Sequence, residues 1–338
     1  MSFSFDNHAR FMGRFDLSNP AAPKCGWVNS AVFIRFRGNQ INMVAEGFGG
    51  KDYVEIILDG IARNWIQVQE GVHEYVIESG LDDAVHILEI QKRTEILYGS
   101  IRFIDFTLPK GGEFFAPPKA KKLKLEYFGD SITNGAGNGH PHELRDAPHL
   151  DDGYMSYVGI SARMLNAEYH TLAISGIGMI QDAMGNVNGL PAHFYGTLGR
   201  DSVPWDFSAY IADGVVINLG QNDFSNPVDE EKYISVYTEF ITNILEKYPD
   251  AYVFCCVGTM NNNYLPSVKK VVSAFGEKGN DKVFCVDLGL IHPEVEGWGG
   301  WFHPSTQTHY RMGLELAEFI SKKTNWPLQK RPLIATKC

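Results

Sequence analysis

The chain of 338 residues is 44% hydrophobic, 12% aromatic and 21% charged. These values predict a globular protein of about two domains and exclude a disordered chain. The formal net charge of −10 argues against nucleic acid or an anionic membrane as the main partner, because both require a basic face, and it favours an uncharged substrate.

Residues 1–116 contain short strand-like runs and almost no helical period. The runs fall at 31–37, 40–48, 52–58, 64–69, 73–78, 84–91 and 100–108. Turn signals such as Asp59-Gly60 and Ser79-Gly80 separate them, and several runs alternate apolar and polar residues. Short strands at this spacing predict an all-β sandwich or jelly-roll domain over 1–116. A stiff, basic stretch at 117–122 predicts the boundary to the next domain.

Residues 122–338 alternate between strand-like and helix-like runs. Strands are predicted at 123–128, 169–175, 214–219, 252–257 and 283–288, and helices at 153–165, 229–248, 265–275 and 305–323. Because the strand runs are short and nearly all apolar, they predict a parallel sheet covered on both faces. We therefore expect a three-layer, doubly wound α/β domain of about five strands. The segment 182–207 has no strong period and is expected to wall a site.

Four candidate residues for chemistry follow the ends of different predicted strands. Ser131 and Gly176 follow the first and second strands. Asn222 follows the third strand, and His303 comes after the fifth. Each alone has a structural explanation, as a turn, a helix cap or a packed histidine. Together they predict one site, because an open α/β sheet gathers the ends of its strands at the edge where ligands bind.

The same residues resemble the four sequence blocks of the SGNH (GDSL-type) hydrolases, in that family's order. The blocks are Gly129-Asp130-Ser131, Gly176, Asn222 and His303-Pro304, and the resemblance spans most of 123–320. Two stretches of the preceding domain, Gly13-Arg14-Phe15 and 86–95, resemble the jelly-roll domain joined to an SGNH domain in carbohydrate esterase family 2. So does Ser156-Tyr157 followed by Ser161-Ala162-Arg163. The resemblance implies deacetylation of plant polysaccharide fragments, above all acetylated xylan or related oligosaccharides.

The chemistry expected of these residues is that of a serine esterase. Ser131 attacks the ester carbonyl, and His303 acts as the general base. The backbone N–H groups of Ser131 and Gly176, with the Asn222 side chain, form the oxyanion hole. Gly178 is the alternative to Gly176 as the middle donor. No cofactor and no metal is required.

One position departs from the SGNH pattern. Most of these enzymes carry an Asp three residues before the histidine, and this chain has Gly300 there. Carbohydrate esterase family 2 includes members that work with a Ser–His dyad and a backbone carbonyl as the orienting acceptor. We therefore predict a dyad, with a carbonyl in 298–301 accepting from the His303 ring. The alternative is that Glu296 or Asp287 folds back to replace the missing acid.

Residues beside these blocks give further predictions. Trp301 and Trp298 are expected to contact a sugar ring, because aromatic faces stack on sugars. Phe302 is expected to pack in the core. Asp130 is expected to cap or hydrogen-bond the turn that positions Ser131.

Neither the histidines nor the cysteines predict a metal site. Several potential ligands lie close together but fit no ligand template, so we expect an exposed polar loop there. They are His140, His142, His149, Asp151 and Asp152. The five cysteines (Cys25, Cys255, Cys256, Cys285 and Cys338) show no CxxC spacing and are expected to be buried free thiols. Free thiols, with no apolar leader in 1–8, predict a cytoplasmic location, and no apolar run approaches a membrane span.

Three hypotheses of function remain open at this point. The main one is a cytoplasmic acetyl esterase for acetylated xylo-oligosaccharides or related small sugars. The second keeps the chemistry but changes the substrate to a lipid, a lysophospholipid or a general short-chain ester, although the chain lacks an apolar lid. The third is a sugar-binding protein that has lost catalysis, which the missing acid motivates. The oligomeric state is also open, and a homo-oligomer is compatible with the sequence.

Overall fold

The structure is a computed structural model that describes residues 2–140, 143, 147–224 and 227–329. The chain forms two compact units, the first ending at Ala120 and the second beginning at Lys121. The domains predicted from the sequence cover 1–116 and 122–338, with a connector between them.

The first unit is built from antiparallel strands. Its described elements are α1 (Phe5–His8), β1 (Ala9–Met12), β2 (Phe15–Asp16), β3 (Lys24–Cys25), β4 (Ala31–Arg37), β5 (Gln40–Phe48), β6 (Asp52–Leu58), β7 (Ile61–Val68), β8 (Gly71–Ser79), β9 (Val85–Lys92), β10 (Ser100–Thr107) and β11 (Glu113–Phe115). One sheet has the order β1-β4-β9-β6-β7, with β11 paired to β4, and the other has the order β2-β3-β10-β5-β8. Apolar side chains of both sheets, such as Phe36, Ile56 and Phe103, form one buried core. The predicted β-sandwich is confirmed.

The longer strands of this unit were predictable because several of them alternate apolar and polar residues. Along β5 every second side chain is buried and the others are half-buried, which is the period of a strand with one face on a core. The short strands β1, β2, β3 and β11 were not predicted, because runs of two to four residues carry too little pattern to be recognised.

The second unit is an α/β domain. Its described elements are β12 (Leu123–Gly129), α2 (Ser131–Asn134), α3 (Tyr157–Met164), β13 (Ala167–Ala173), β14 (Gly214–Asn218), α4 (Glu230–Lys247), β15 (Tyr252–Thr259), α5 (Leu265–Glu277), β16 (Val283–Leu290), α6 (Pro293–Glu296) and α7 (Thr306–Thr324). The strands pair in the order β13-β12-β14-β15-β16, and neighbouring strands are parallel. The predicted doubly wound sheet is confirmed.

The direction in which the chain crosses the sheet places its helices. From β12 the chain first moves to β13 at one edge and later proceeds from β14 to β16 at the other. Since crossovers between parallel strands are right-handed, connections in opposite directions put their helices on opposite faces. Helix α3 accordingly packs against α7, and α4 packs against α5.

The described cysteines are free thiols. Cys25, Cys255 and Cys256 are buried, as predicted, and Cys285 is half-buried. Cys338 lies outside the described residues. Among the helices that the structure describes, none combines the length and the apolar character needed to cross a membrane.

Candidate active site

The candidate residues leave the sheet at the same level of one edge. In the parallel register, the last residue of β12, Gly129, pairs with Ala173 on β13 and with Asn218 on β14. The loops that follow these three strands therefore begin side by side. This is the edge at which doubly wound sheets bind ligands.

Ser131 is the first residue of the four-residue helix α2. The Asp130 side chain caps this helix, accepting a hydrogen bond from the Ile132 N–H at 3.0 Å, which confirms the role predicted for it. Gly129 must lack a side chain, since a Cβ there would lie 1.9 Å from the Thr133 hydroxyl oxygen. Gly135, in the left-handed conformation with φ 76°, ends the helix. The turn thus holds the Ser131 backbone rigidly at the sheet edge.

The His303 ring bridges Ser131 and a backbone carbonyl. Its Nε2 lies 2.9 Å from the Ser131 Oγ, and its Nδ1 lies 3.2 Å from the Gly300 carbonyl oxygen. A carbonyl can only accept, so the ring proton is on Nδ1 and the unprotonated Nε2 faces the hydroxyl. Burial lowers the pKa of His303 below 6.5, although the Gly300 carbonyl and the Asp151 carboxylate oppose this shift. The ring is therefore neutral at neutral pH and able to accept a proton.

The turn before His303 has an unusual backbone. Trp301 and Phe302 have φ values of 52° and 59°, in the left-handed region that bulky residues rarely occupy and that concentrates at functional sites. Within this turn the His303 N–H donates to the Gly300 carbonyl at 3.1 Å, and the Gly299 N–H donates to the His303 carbonyl at 2.9 Å. The strained turn thus directs the Gly300 carbonyl at the histidine.

The same turn presents aromatic side chains to solvent. Trp301 is 55% exposed and its ring lies 6.4 Å from the His303 ring, while Trp298 is 37% exposed. The prediction that Phe302 packs in the core is wrong, because its side chain is 52% exposed and meets the Trp298 ring edge-on at 5.7 Å. The left-handed backbone turns this side chain outward, which the sequence pattern does not reveal.

Neither carboxylate considered as a substitute for the missing acid bonds to His303. The buried Glu296 side chain is ion-paired with Arg311 and accepts from the Thr308 hydroxyl at 3.0 Å. Asp287 is exposed and accepts from the Gly289 N–H at 2.9 Å. The Gly300 carbonyl lies 3.2 Å from Nδ1, and the Trp301 carbonyl also favours the protonated ring, so backbone carbonyls occupy the place of the missing acid.

The structure of the loop after β13 distinguishes Gly176 from Gly178 as the candidate oxyanion donor. The Gly178 N–H already donates to the Gln181 carbonyl at 2.7 Å, and a Cβ on Gly178 would lie 2.3 Å from the Asp223 carboxylate. Gly178 is thus required by packing. Gly176 has φ 79° and open space within 4 Å of a Cβ built there, and its N–H makes no hydrogen bond within the described part of the chain.

Asn222 lies between the loops that carry Ser131 and Gly176. Its Nδ2 donates to the Ile177 carbonyl at 2.8 Å and lies 3.3 Å from an Asp130 carboxylate oxygen. The structure therefore brings all four predicted residues together around one sheet edge.

Two neighbours of Asn222 hold the surrounding loops, and the sequence analysis did not single them out. The buried Asp223 carboxylate accepts from the Met179 and Ile180 N–H groups at 2.7 and 2.9 Å. Burial raises the pKa of Asp223, although these N–H donors oppose the shift. Gln221 makes two hydrogen bonds to the Asn261 backbone, at 2.7 and 2.8 Å. Their position directly after the buried strand β14 is the sequence signal that could have identified them.

The prediction of an exposed polar loop is wrong for His140 and Asp151. Both are 6% exposed, and the Asp151 carboxylate accepts from the Gly137 N–H at 2.7 Å and lies 3.3 Å from the His140 Nε2. Within the described residues no group of three or more His, Cys, Asp or Glu side chains is placed to hold a metal. His142 lies outside those residues.

Comparison with known families gives two matches in chain order. Residues 11–118 match the carbohydrate esterase 2 N-terminal domain. Residues 125–316 match the GDSL-like lipase/acylhydrolase family. The boundary between the matches agrees with the change from antiparallel to parallel sheets.

Individual proteins resemble nearly the whole chain. A family two carbohydrate esterase from Clostridium thermocellum, solved in complex with cellohexaose, is 35% identical, with a TM-score of 0.91 over 94% of this chain and 99% of that one. The cellulase/esterase CelE of Acetivibrio thermocellus is 36% identical over 94% of this chain, which spans only 39% of the length of CelE. An acetylxylan esterase/glucomannan deacetylase of Cellvibrio japonicus is 24% identical over 95% of this chain and 90% of that protein.

Proposed function

Because the chain belongs to carbohydrate esterase family 2 within the GDSL-type hydrolases, we propose that it is a serine esterase that removes acetyl groups from xylo-oligosaccharides or related sugars. The observation that carries the proposal is the 2.9 Å contact between the Ser131 hydroxyl and the His303 Nε2, with the Gly300 carbonyl at the opposite ring nitrogen. The relative from Cellvibrio japonicus is named as an acetylxylan esterase and glucomannan deacetylase, which favours acetylated hemicellulose fragments as substrates.

The first half of the proposed reaction forms an acyl-enzyme. Ser131 Oγ bonds to the acetyl carbon as its proton moves to the His303 Nε2. The carbonyl oxygen becomes an oxyanion, which the Ser131 and Gly176 N–H groups and the Asn222 amide stabilise. One such donor contributes about 2.7–4 kcal/mol to lowering the barrier. The bond to the sugar oxygen then breaks, and the imidazolium returns its proton to that oxygen.

The second half repeats these steps with water. Water attacks the acetyl carbon, His303 accepts its proton, and Ser131 leaves with that proton as acetate forms. In the oxyanion complex, the Asn222 Nδ2 keeps its bond to the Ile177 carbonyl. Its longer, 3.3 Å contact to Asp130 is the one that the oxyanion would replace.

Trp301 and Trp298 are proposed to form the sugar-binding surface. Both are exposed on the turn that leads to His303, and burying about 40–55 Å² of a ring face against a sugar contributes roughly 1–1.4 kcal/mol. Trp301→Ala should therefore raise the KM for an acetylated oligosaccharide about fivefold to tenfold. Its kcat on p-nitrophenyl acetate, which has no sugar ring, should stay within about twofold and serves as the matched control.

The experiment that tests the proposed function is acetate release across acetylated xylose, xylo-oligosaccharides and glucomannan fragments, with Ser131→Ala as the control. We expect release by the unaltered chain and none by the variant. Faster hydrolysis of long-chain acyl esters than of acetyl esters would instead identify a lipid esterase. Tight binding of the oligosaccharides without any acetate release would identify a sugar-binding protein.

The proposed location is cytoplasmic. The buried free thiols of Cys25, Cys255 and Cys256 are compatible with a reducing compartment. Fractionation of the source cells with an antibody to the chain tests this point, and recovery outside the cytoplasm would overturn it.

A further inference from the structure

A buried carboxylate lies behind the Gly300 carbonyl. The Asp151 carboxylate accepts a hydrogen bond from the Gly137 N–H at 2.7 Å. The carbonyl of Gly137 in turn accepts from the Gly300 N–H at 2.7 Å. The Gly300 carbonyl then lies 3.2 Å from the His303 Nδ1. A continuous series of short contacts therefore runs from a carboxylate to the ring of the general base.

Three glycines make this series sterically feasible. Gly137 has φ 68°, and a Cβ on it would lie 2.6 Å from the Gly300 carbonyl oxygen. A Cβ on Gly299 would lie 2.5 Å from the Gly137 carbonyl oxygen, and one on Gly300 would lie 2.6 Å from the His140 Cβ. Side chains at these positions would force the two loops apart. The close approach of the Gly137 loop to the loop of Gly299 and Gly300 therefore requires glycine at these positions.

We propose that Asp151 is a positioning residue for His303, which anchors Gly137 and through it Gly300, and which supplies from a distance the negative charge that residue 300 lacks. The proposal rests on the proposed esterase function, because it assigns His303 as the base. Asp151 touches neither Ser131 nor His303, so its effect on the reaction passes through the two glycines and through its electric field.

The charges around His303 allow this field to act. Asp151 favours the protonated His303, and His140 disfavours it. On α7, His309 stays neutral near pH 7, because burial lowers its pKa to about 3. Asp151 is 6% exposed, so solvent screens its charge less than it would screen a surface carboxylate. An imidazolium that forms in the transition state is therefore stabilised by Asp151.

The test uses Asp151→Asn, which removes the charge but keeps an oxygen that can accept from Gly137. Asp152→Asn is the matched control, since Asp152 adjoins Asp151 and accepts instead from the Met155 N–H at 3.0 Å. The readout is the rate at which a fluorophosphonate labels Ser131 between pH 4 and 9, which requires no sugar ester. We expect Asp151→Asn to lower the plateau rate roughly tenfold and to move the acidic limb to lower pH, whereas Asp152→Asn should do neither.

A purely structural role predicts a different outcome. If Asp151 only held the Gly137 N–H, the Asn variant would keep both the plateau and the acidic limb of the unaltered chain, and the proposal would be overturned. Asp151→Glu, which restores the charge, should recover the position of the acidic limb.

A measurement on the unaltered chain covers the case in which the Asn variant does not fold. Coupling between two groups is reciprocal, so protonation of His303 must shift the carboxyl ¹³C resonance of Asp151. We expect an inflection in that resonance at the His303 pKa, which disappears in His303→Gln. A resonance that does not respond overturns the proposal. This measurement needs no activity, so a chain that releases no acetate would refute the proposed function without deciding the role of Asp151.

Discussion

Replacing Glu296 with Gln distinguishes a dyad from a triad, because Glu296 is the buried carboxylate closest in sequence to His303. In the structure its side chain is ion-paired with Arg311 and accepts from the Thr308 hydroxyl at 3.0 Å and the His292 N–H at 3.1 Å. Burial raises the pKa of Glu296, but the hydrogen bonds from Arg311, His292 and Thr308 outweigh it and lower the pKa overall. These contacts place Glu296 in the framework that supports α7.

The expected loss is one of stability. Removing one partner of a fully buried ion pair costs about 3–5 kcal/mol. Arg311 is partly exposed and keeps contacts to Glu315 and to the carbonyls of Leu288 and Leu290, at 3.1, 2.8 and 3.1 Å, so we expect about 2–3 kcal/mol. For a domain of this size that lowers Tm by roughly 4–12 °C.

The assay combines thermal unfolding with kcat on p-nitrophenyl acetate, measured well below the Tm of the variant. We expect kcat within about threefold of the unaltered chain. Asp287→Asn, which removes an exposed carboxylate, should change the free energy of unfolding by no more than about 0.5 kcal/mol. Its kcat should also stay close to that of the unaltered chain. A decrease in kcat of a hundredfold or more in either variant, without a matching loss of folded protein, would show that a carboxylate orients His303 and would refute the dyad.

Three further predictions follow from the site. Gly300→Ala places a Cβ 2.6 Å from the His140 Cβ and should lower kcat about a hundredfold, whereas Gly276→Ala, where a Cβ meets nothing within 4 Å, should leave it unchanged. In steady-state kinetics, kcat/KM should rise with pH through the His303 pKa, which burial holds below 6.5, so a midpoint above 7 would contradict the neutral base. Burial lowers the pKa of His309 from 6.5 to about 3, so the unfolded chain binds a proton that the folded chain does not. The free energy of unfolding should therefore fall by up to roughly 5 kcal/mol between pH 6.5 and 3. His309→Gln should remove this part of the pH dependence in denaturant titrations, and an unchanged slope would refute it.

The elements that could be predicted from the sequence are those with a clear hydrophobic pattern within a single segment of the chain. Period-two alternation located β4 and β5, and short apolar runs located the strands of the parallel sheet, because burial on one or both faces imposes these patterns directly. Ser131 and His303 could be recognised because each follows a strand or precedes a helix. Their proximity then followed from topology.

The features that were missed depend on contacts between distant parts of the chain. The approach of Gly137 to Gly300 joins loops more than 150 residues apart, and no periodic pattern in the sequence indicates it. The burial of Asp151 depends on the same packing of loops. The outward position of Phe302 depends on a left-handed backbone conformation, which the presence of a bulky residue does not predict. Asp223 was not singled out because its N–H partners, Met179 and Ile180, lie in a different loop.

Whether His303 activates Ser131 as the nucleophile is tested most directly by peptide mapping with mass spectrometry after reaction with a fluorophosphonate. We expect one adduct, on Ser131, formed at similar rates in the unaltered chain and in Glu296→Gln, and lost in His303→Gln. An adduct on another residue, or labelling of Ser131 that persists undiminished in His303→Gln, would contradict these roles.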